Sequence, residues 1–336
     1  NNPDVDRVYA SPVNVETTVS QLFKNMYNGQ FGSADDVWTQ SLSMSFESHS
    51  QLGNFGMGTR AAIPRNPIDN SIGNSVNVGN FRDFDHLSRN AKSAANTIAA
   101  INGFAAVNRS IGSPARDAKA KSFAYFALGY ALGNLGMLYD SAAIIAPSQA
   151  SDEIPPFSGH ADVVAAALVA LDSAIAIAQS ANAANGTNGW PIPADWLSTT
   201  GTIDNTTWVK ILRSYKARFR AGVARNATER GAVAWASVIA DATGGITSDF
   251  VVNANATTGW SGSVVTQLRV SSGWSQMTPM ILGMADSTGA YDAWLATPLQ
   301  SRSAFLLRTA DKRFPSGDTR ALQQAVTGTS KSGPAA

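Results

Sequence analysis

At 336 residues the chain is long enough to bury a substantial core, and 44% of its residues are hydrophobic. Only 15% are charged, against about 25% in an average soluble protein, so Asn, Ser, Thr and Gly must cover much of the surface. Such a surface suits a protein that works outside the cytoplasm. The net charge of +1, without a run of Lys or Arg, argues against nucleic acid as a partner.

The first predicted helix spans about residues 12–28, with Ser11 as its N-cap, Pro12 at N1 and Gly29 after its last turn. A second helix is predicted after Ser33. From residue 50 to 80 the helical pattern gives way to Gly, Asn and Pro. A loop of this length inside a compact domain usually has a function or covers another surface.

Further long helices are indicated by apolar residues at helical spacing. In the helix that begins at Pro114, small residues are expected to allow close pairing with the helix before it. The last part of the chain predicts short helices and one candidate strand, residues 264–270. The predicted helices after residue 80 are 84–101, 114–139, 161–180, 206–226, 229–242, 291–295 and 299–309.

These elements predict an all-α fold, a tetratricopeptide-like solenoid of helix pairs of roughly 40 residues with long loop excursions. We expect a single domain over residues 1–336. Its helical core would cover about 12–245 and its loop-rich ligand face about 246–336. The first and last residues of the chain suggest that the extreme N-terminus and part of the C-terminal region of that domain are absent.

Metal and cofactor chemistry finds little support in the sequence. Cysteine is absent, which excludes disulfides and thiolate sites. His49, His86 and His160 are far apart and show no HExxH-like spacing, so we expect no zinc site and no cofactor. The loop aspartates would permit a calcium ion, but no EF-hand spacing is present. The longest apolar run, residues 163–178, is interrupted by polar residues and falls short of the roughly 20 residues that span a bilayer.

Catalytic motifs are equally sparse, because the sequence contains no GxSxG elbow, Walker A motif or GxGxxG fingerprint. Neighbouring carboxylates, such as Asp35 with Asp36 and Asp152 with Glu153, do not face each other on a helix. Carboxylates at such places commonly stabilise helix starts. We therefore expect that the chain is not an enzyme.

Eight tryptophans are the most informative side chains. Trp38, Trp208 and Trp235 fall on predicted helices and are expected in the core. A tryptophan in a loop can stack on the apolar face of a sugar, although such residues more often pin their loop to the scaffold. The tryptophans in or beside loops are Trp190, Trp196, Trp260, Trp274 and Trp294.

Several segments resemble the SusD/RagB family of outer-membrane nutrient-binding lipoproteins. The clearest is the helix from Trp208 to Ala221, WVKILRSYKARFRA, which is similar to a conserved helix of that family. Ser122 stands where the family usually has arginine. The other similar segments are Asn2-Pro3-Asp4 with the helix 13–27, Ala91 to Ile98, Ala115 to Phe126, and Arg308 to Gly317.

The resemblance implies a tetratricopeptide-like fold at the extracellular face of an outer membrane, held by an N-terminal lipid anchor. It further implies that the protein binds an oligosaccharide or other nutrient and acts with a SusC-like TonB-dependent barrel in carbohydrate uptake. The lipobox cysteine that would carry the anchor is missing from this chain.

The aromatic-bearing excursions are the expected ligand face. Their rings would stack on pyranose faces, and the arginine would bind hydroxyls or a carboxylate. The candidate ligand-binding residues are Phe55, Arg60, Trp260, Trp274, Tyr291 and Trp294.

Two alternative functions fit the same sequence. The chain could be a surface scaffold that binds other proteins or copies of itself, as tetratricopeptide-like stacks commonly do. A polysaccharide hydrolase is less favoured, because it needs two converging carboxylates about 5 to 10 Å apart. The loop acids to be tested for that role are Asp195, Asp249, Asp286 and Asp292.

Overall fold

The computed structural model describes residues 3–31, 41, 44–45, 62, 69, 71, 73–74, 78–150, 153, 155–185, 190–261, 278–303, 305–311, 314 and 319. These residues are mostly helical, which confirms the all-α expectation. The chain divides into two compact units, one of residues 1–30 and 82–261 and one of residues 31–81 and 262–336.

The first unit is built around long helices whose bounds are close to those predicted. One small antiparallel sheet joins β1 (Ser141–Ala143) to β2 (Phe157–Gly159), with Ala142 opposite Ser158. The helices are α1 (Pro3–Ala10), α2 (Pro12–Phe31), α3 (Val78–Ala106), α4 (Pro114–Leu138), α5 (His160–Asn185), α6 (Ala194–Leu197), α7 (Asn205–Gly222), α8 (Ala227–Ala232) and α9 (Trp235–Thr243).

The second unit contains short elements among its described residues. They are α10 (Pro279–Ala285), α11 (Ala290–Ala296) and a 3₁₀ turn at Leu299–Ser301. The predicted helix 299–309 is therefore wrong beyond its first turn. The side chain of Arg302 binds the carbonyl oxygens of Thr297 and Leu295, and the chain then continues without helical hydrogen bonds.

Helix starts follow the capping chemistry read from the sequence. The side chain of Ser113 accepts from the N–H of Arg116 at the start of α4, and Asp204 accepts from Thr207 at the start of α7. The predicted helix 229–242 is instead two helices. Asn226 caps α8, and Val233 adopts an extended conformation (φ −61°, ψ 133°) that separates it from α9.

Three glycines of α4 allow its neighbours to approach closely. A Cβ at Gly129 would lie 2.8 Å from the Leu171 side chain of α5, and one at Gly133 would lie 2.4 Å from the Phe219 ring of α7. A Cβ at Gly136 would lie 2.6 Å from the side chain of Val164. The small residues of α4 therefore serve contacts with α5 and α7.

An aromatic core fills the space between α2, α4 and α7. Trp208 is fully buried and stacks on Phe123, with ring centroids 5.6 Å apart and an interplanar angle of 15°. Trp190 and Trp196 are buried as well, which shows that both pin their loop to the core. Trp235 is 46% exposed, so its predicted core position is wrong.

Helix α5 is unusually apolar. The stretch His160–Ser180 is long and apolar enough to cross a membrane by length and composition, contrary to the sequence expectation, although core helices of water-soluble proteins meet the same criterion. Val163, Ala167, Leu171 and Ala174 are all fully buried against the unit's core, and this packing accounts for much of the helix's hydrophobicity.

Candidate functional site

An aromatic cluster lies on α11, where the structure brings together two of the candidate ligand-binding residues. Tyr291 and Trp294 are three positions apart and therefore share one helix face. Their ring centroids are 6.0 Å apart at an interplanar angle of 22°. Phe305 completes the cluster at 5.9 Å from both rings. Tyr291, Trp294 and Phe305 are all partly exposed.

The start of α11 is held by Asp286. Its Oδ2 accepts from the backbone N–H of Tyr291 at 3.0 Å, and its Oδ1 accepts from the hydroxyl of Thr288 at 2.8 Å. The hydrogen bond from Tyr291, with those from Thr288, holds the pKa of Asp286 below its ordinary value. Gly289 precedes the helix with φ of 78°, a left-handed conformation that favours glycine.

Arg302 adds a cation to this cluster. Its guanidinium lies 4.7 Å from the centre of the Trp294 ring, within the range of a cation–π interaction. The carbonyl oxygens of Thr297 and Leu295 accept from Nε at 2.9 Å and from the guanidinium NH₂ at 2.8 Å. Aromatic rings beside a fixed guanidinium can stack on a planar apolar face and donate hydrogen bonds at its edge.

Exposed apolar side chains lie on α10, on α11 and on the 3₁₀ turn that follows α11. Met284 is 74% exposed and Leu299 is 75% exposed, and Met280 and Leu295 are also open to solvent. Large side chains in this number on short neighbouring segments are typical of a binding surface. Methionine suits such a surface because its flexible side chain adapts to different partners.

The remaining candidate residues are not in this cluster. Trp260 is only 3% exposed and packs in the first unit against Tyr27 and Phe23, with centroids 5.4 and 5.9 Å away. Its ring therefore has no open face for a sugar, contrary to the sequence hypothesis, and it pins the loop as a buried tryptophan does. Phe55, Arg60 and Trp274 lie outside the described residues.

Side chains of α2 hold the loop that carries Trp260 through hydrogen bonds to its backbone. Lys24 donates to the carbonyl of Thr258 and Asn28 donates to that of Gly259, both at 2.8 Å. Asn28 also accepts from the backbone N–H of Ser261 at 2.8 Å. Polar groups around the ring therefore hold the loop, which explains why a tryptophan in an irregular segment became part of the core.

A second site, which the sequence analysis did not find, is a cleft of about 440 Å³ in the first unit. Its walls are formed by the start of α5, the end of α7, helix α8 and the two residues that connect α8 to α9. Its lining is mainly aliphatic and includes Val164, Leu168, Val223 and Val233. Residues from three helices and from the segment between α8 and α9 meet here, so no local sequence pattern could have indicated it.

Polar groups occur at two places in this cleft. At one, Nε2 of His160 lies 3.6 Å from Oε2 of Glu229. The backbone N–H of Arg225 donates to Glu229 and is the main cause of a lowered pKa of that carboxyl. At the other, Arg220 lines the cleft and donates through Nε to Oδ2 of Asp241 at 2.8 Å.

Asp241 is the centre of an ion network between α5, α7 and α9. It is buried, and besides Arg220 it lies 3.5 Å from Nζ of Lys216 and 3.9 Å from a guanidinium nitrogen of Arg213. Lys216, also buried, forms a second ion pair with Asp172. Three cations thus share two carboxylates, which leaves a positive excess on the side of the cleft where Arg220 lies.

Among the residues that the structure describes, no group of three or more His, Asp or Glu side chains is placed to hold a metal ion.

Comparison with known proteins adds no relative. No protein-family model, curated protein or solved structure matches this chain significantly.

Proposed function

We propose that this chain is a cell-surface glycan- or nutrient-binding protein that acts with a TonB-dependent transporter of the outer membrane. The proposal combines the resemblance of several helices to the SusD/RagB family with one structural observation. That observation is the partly exposed Tyr291–Trp294 pair, stacked on one face of α11 beside Arg302. In a binding role, the exposed parts of the two aromatic rings stack on a pyranose, and the Arg302 guanidinium donates hydrogen bonds to the hydroxyls of that sugar.

The finer architecture of the proposal is a tetratricopeptide-like solenoid. Its support is that successive helices of the first unit pack on one another, α4 on α5 and α7 on both α5 and α9. A stack of helix pairs presents irregular loops along one side, and loops on a rigid scaffold commonly carry binding residues.

Binding rather than hydrolysis is favoured by the chemistry of Asp286. A general acid of a glycosidase needs a raised pKa so that it is protonated at neutral pH. Asp286 instead accepts hydrogen bonds that lower its pKa, and those bonds position the first residues of α11. Its local role is therefore structural, which argues against Asp286 as the general acid of a glycosidase.

Affinity purification tests the proposal. The protein, expressed with its native membrane attachment, is isolated from detergent-solubilised outer membrane and the co-purifying chains are identified by mass spectrometry. A TonB-dependent barrel in a 1:1 ratio is the expected result, and a glycan array with the same protein then identifies the ligand. Recovery without a barrel, together with an array that shows no bound glycan, contradicts the proposal.

A protein-interaction scaffold is the second candidate, favoured by the exposed apolar side chains. Val169 of α5 and Ile239 of α9 are 66% and 64% exposed, and Met284 and Leu299 are exposed in the other unit. Recovery of a stable complex with other surface proteins or copies of the same chain, without glycan binding, would favour this function.

A further inference from the structure

We propose that the cleft between α5, α7, α8 and α9 binds an amphiphilic anion, an aliphatic chain that ends in a carboxylate or similar anionic head. This proposal is independent of the glycan-binding function, because it concerns different helices from those of the aromatic cluster. It rests on the volume of the cleft, its aliphatic lining and the distribution of charge around it.

The cleft has the dimensions and lining of a small-molecule site. Its volume of about 440 Å³ lies within the range of roughly 300 to 1,000 Å³ that is usual for ligand pockets. Val164, Leu168 and Val223 provide aliphatic walls from two helices, and Val233 closes the side formed by α8 and α9. An aliphatic chain bound here removes apolar surface from water on both partners.

The head group is assigned by the ion network behind the cleft. Among the described residues, the ion pairs of Arg220, Lys216 and Arg213 are those with Asp241 and Asp172. Within that network Arg220 is the member that lines the cleft, and its side chain is 25% exposed. An anionic head beside Arg220 would balance the excess positive charge, and an arginine–carboxylate hydrogen bond is among the stronger ones in proteins.

Glu229 determines the direction of the bound chain. Its carboxylate is ionised and held by the backbone N–H of Arg225 and the side chain of Asn226. An anionic head is repelled from this part of the rim and attracted to Arg220. A cationic amphiphile would prefer the opposite arrangement, with its head at Glu229, so the charge of the head group is a direct test.

Isothermal titration calorimetry with the full chain tests the proposal, using decanoate, decyltrimethylammonium and decanol as probes. We expect decanoate to bind more tightly than decyltrimethylammonium by tenfold or more. Octanoate should bind roughly fifteenfold more weakly than decanoate, because it lacks two buried CH₂ groups. Equal affinity for the anionic and the cationic probe would overturn the proposal.

Two alanines on the exposed face of α5 provide a matched pair of variants. Ala165 lines the cleft, whereas Ala176 lies three turns further along the same helix and does not. Ala165→Phe fills the cleft and should weaken decanoate binding at least tenfold, while Ala176→Phe should leave it unchanged. If both variants bind decanoate like the wild type, the chain binds elsewhere and the proposal is wrong.

The role of Arg220 is tested separately with Arg220→Gln, which retains an N–H donor for Asp241. We expect a tenfold or greater loss of decanoate affinity and less than a twofold change for decanol. An equal loss for both probes would contradict the assignment of the head group to Arg220. Should this variant not fold, as judged by circular dichroism, Ala165→Phe and the charge comparison still decide the proposal.

Discussion

The indole Nε1–H of Trp208 donates a hydrogen bond of 3.0 Å to Oγ of Ser122, and both residues are fully buried. The Ser122 hydroxyl in turn donates to the carbonyl oxygen of Ala174 at 2.9 Å. This relay connects α7, α4 and α5 in the middle of the core. It gives Ser122 a specific structural role in the core.

Removal of this hydroxyl should destabilise the fold. Ser122→Ala leaves the indole N–H of Trp208 buried without an acceptor, which costs about 1–3 kcal/mol. Ser173→Ala is the control, because the Ser173 hydroxyl also donates to a helical carbonyl but lies near the surface. Urea unfolding measures both variants. A loss from Ser122→Ala no larger than that from Ser173→Ala would show that the relay contributes little.

Close packing at Gly133 predicts a second effect on stability. Gly133→Ala places a Cβ against the Phe219 ring and should destabilise the protein by about 1–3 kcal/mol, as overpacking usually does. Gly103 is exposed in the last turn of α3, and a Cβ added there would meet no atom within 4 Å. Gly103→Ala should therefore stabilise by up to about 1 kcal/mol through helix propensity. Thermal unfolding should therefore show a lower melting temperature for Gly133→Ala and a higher one for Gly103→Ala. A shift in the same direction for both variants would contradict this explanation.

Asp241 should contribute more to the free energy of unfolding than Asp172, although both pair with Lys216. Asp241→Ala leaves buried Lys216 and its arginine neighbours without their central carboxylate, and breaking a buried pair in this way costs about 3–5 kcal/mol. The Asp172 side chain is 57% exposed, so Asp172→Ala should cost about 1 kcal/mol or less. Denaturant unfolding of the two variants tests the order. Similar losses of stability in the two variants would mean that the burial of a carboxylate does not determine its contribution to the network.

Trp294 should contribute directly to glycan affinity. Trp294→Ala removes one ring of the cluster and the ring beside Arg302, and it is expected to weaken binding of an array-identified glycan at least tenfold, as loss of an anchoring aromatic often does. Trp235→Ala is a matched control, since Trp235 is an exposed tryptophan in the first unit. Its glycan affinity should equal that of the wild type. Unchanged affinity in Trp294→Ala would remove the cluster from the proposed site.

Acidification should loosen the start of α11 through Asp286. The hydrogen bond from the Tyr291 N–H favours the ionised carboxylate, so the folded-state pKa lies below the unfolded value near 3.8. The resulting stabilisation is present above pH 3.8 and is lost as the pH falls through the folded-state pKa. The amide resonance of Tyr291 should therefore titrate with a midpoint below 3.8. In Asp286→Asn this titration should disappear, and its persistence would assign the transition to another group.

Local sequence chemistry alone determined where most helices lie. Ser113 before Pro114 and Asp204 before α7 placed two starts correctly, because capping depends on residues within one turn. Tyr291 and Trp294 were also predictable as neighbours, since three residues on a helix bring side chains to one face. The break between α8 and α9 was missed because it occurs at Val233 and Ala234, whose apolar side chains do not interrupt the helical pattern.

Only the tertiary structure decided which aromatic rings are buried. Trp260 and Trp294 both occur in or beside irregular segments, yet one packs against Tyr27 from a distant helix and the other stays partly exposed. The aliphatic cleft and the Asp241 network likewise unite residues from several helices. Burial and charge balance depend on contacts between residues far apart in sequence, whereas capping and helical periodicity depend on neighbours, and so only the latter could be read from the chain itself.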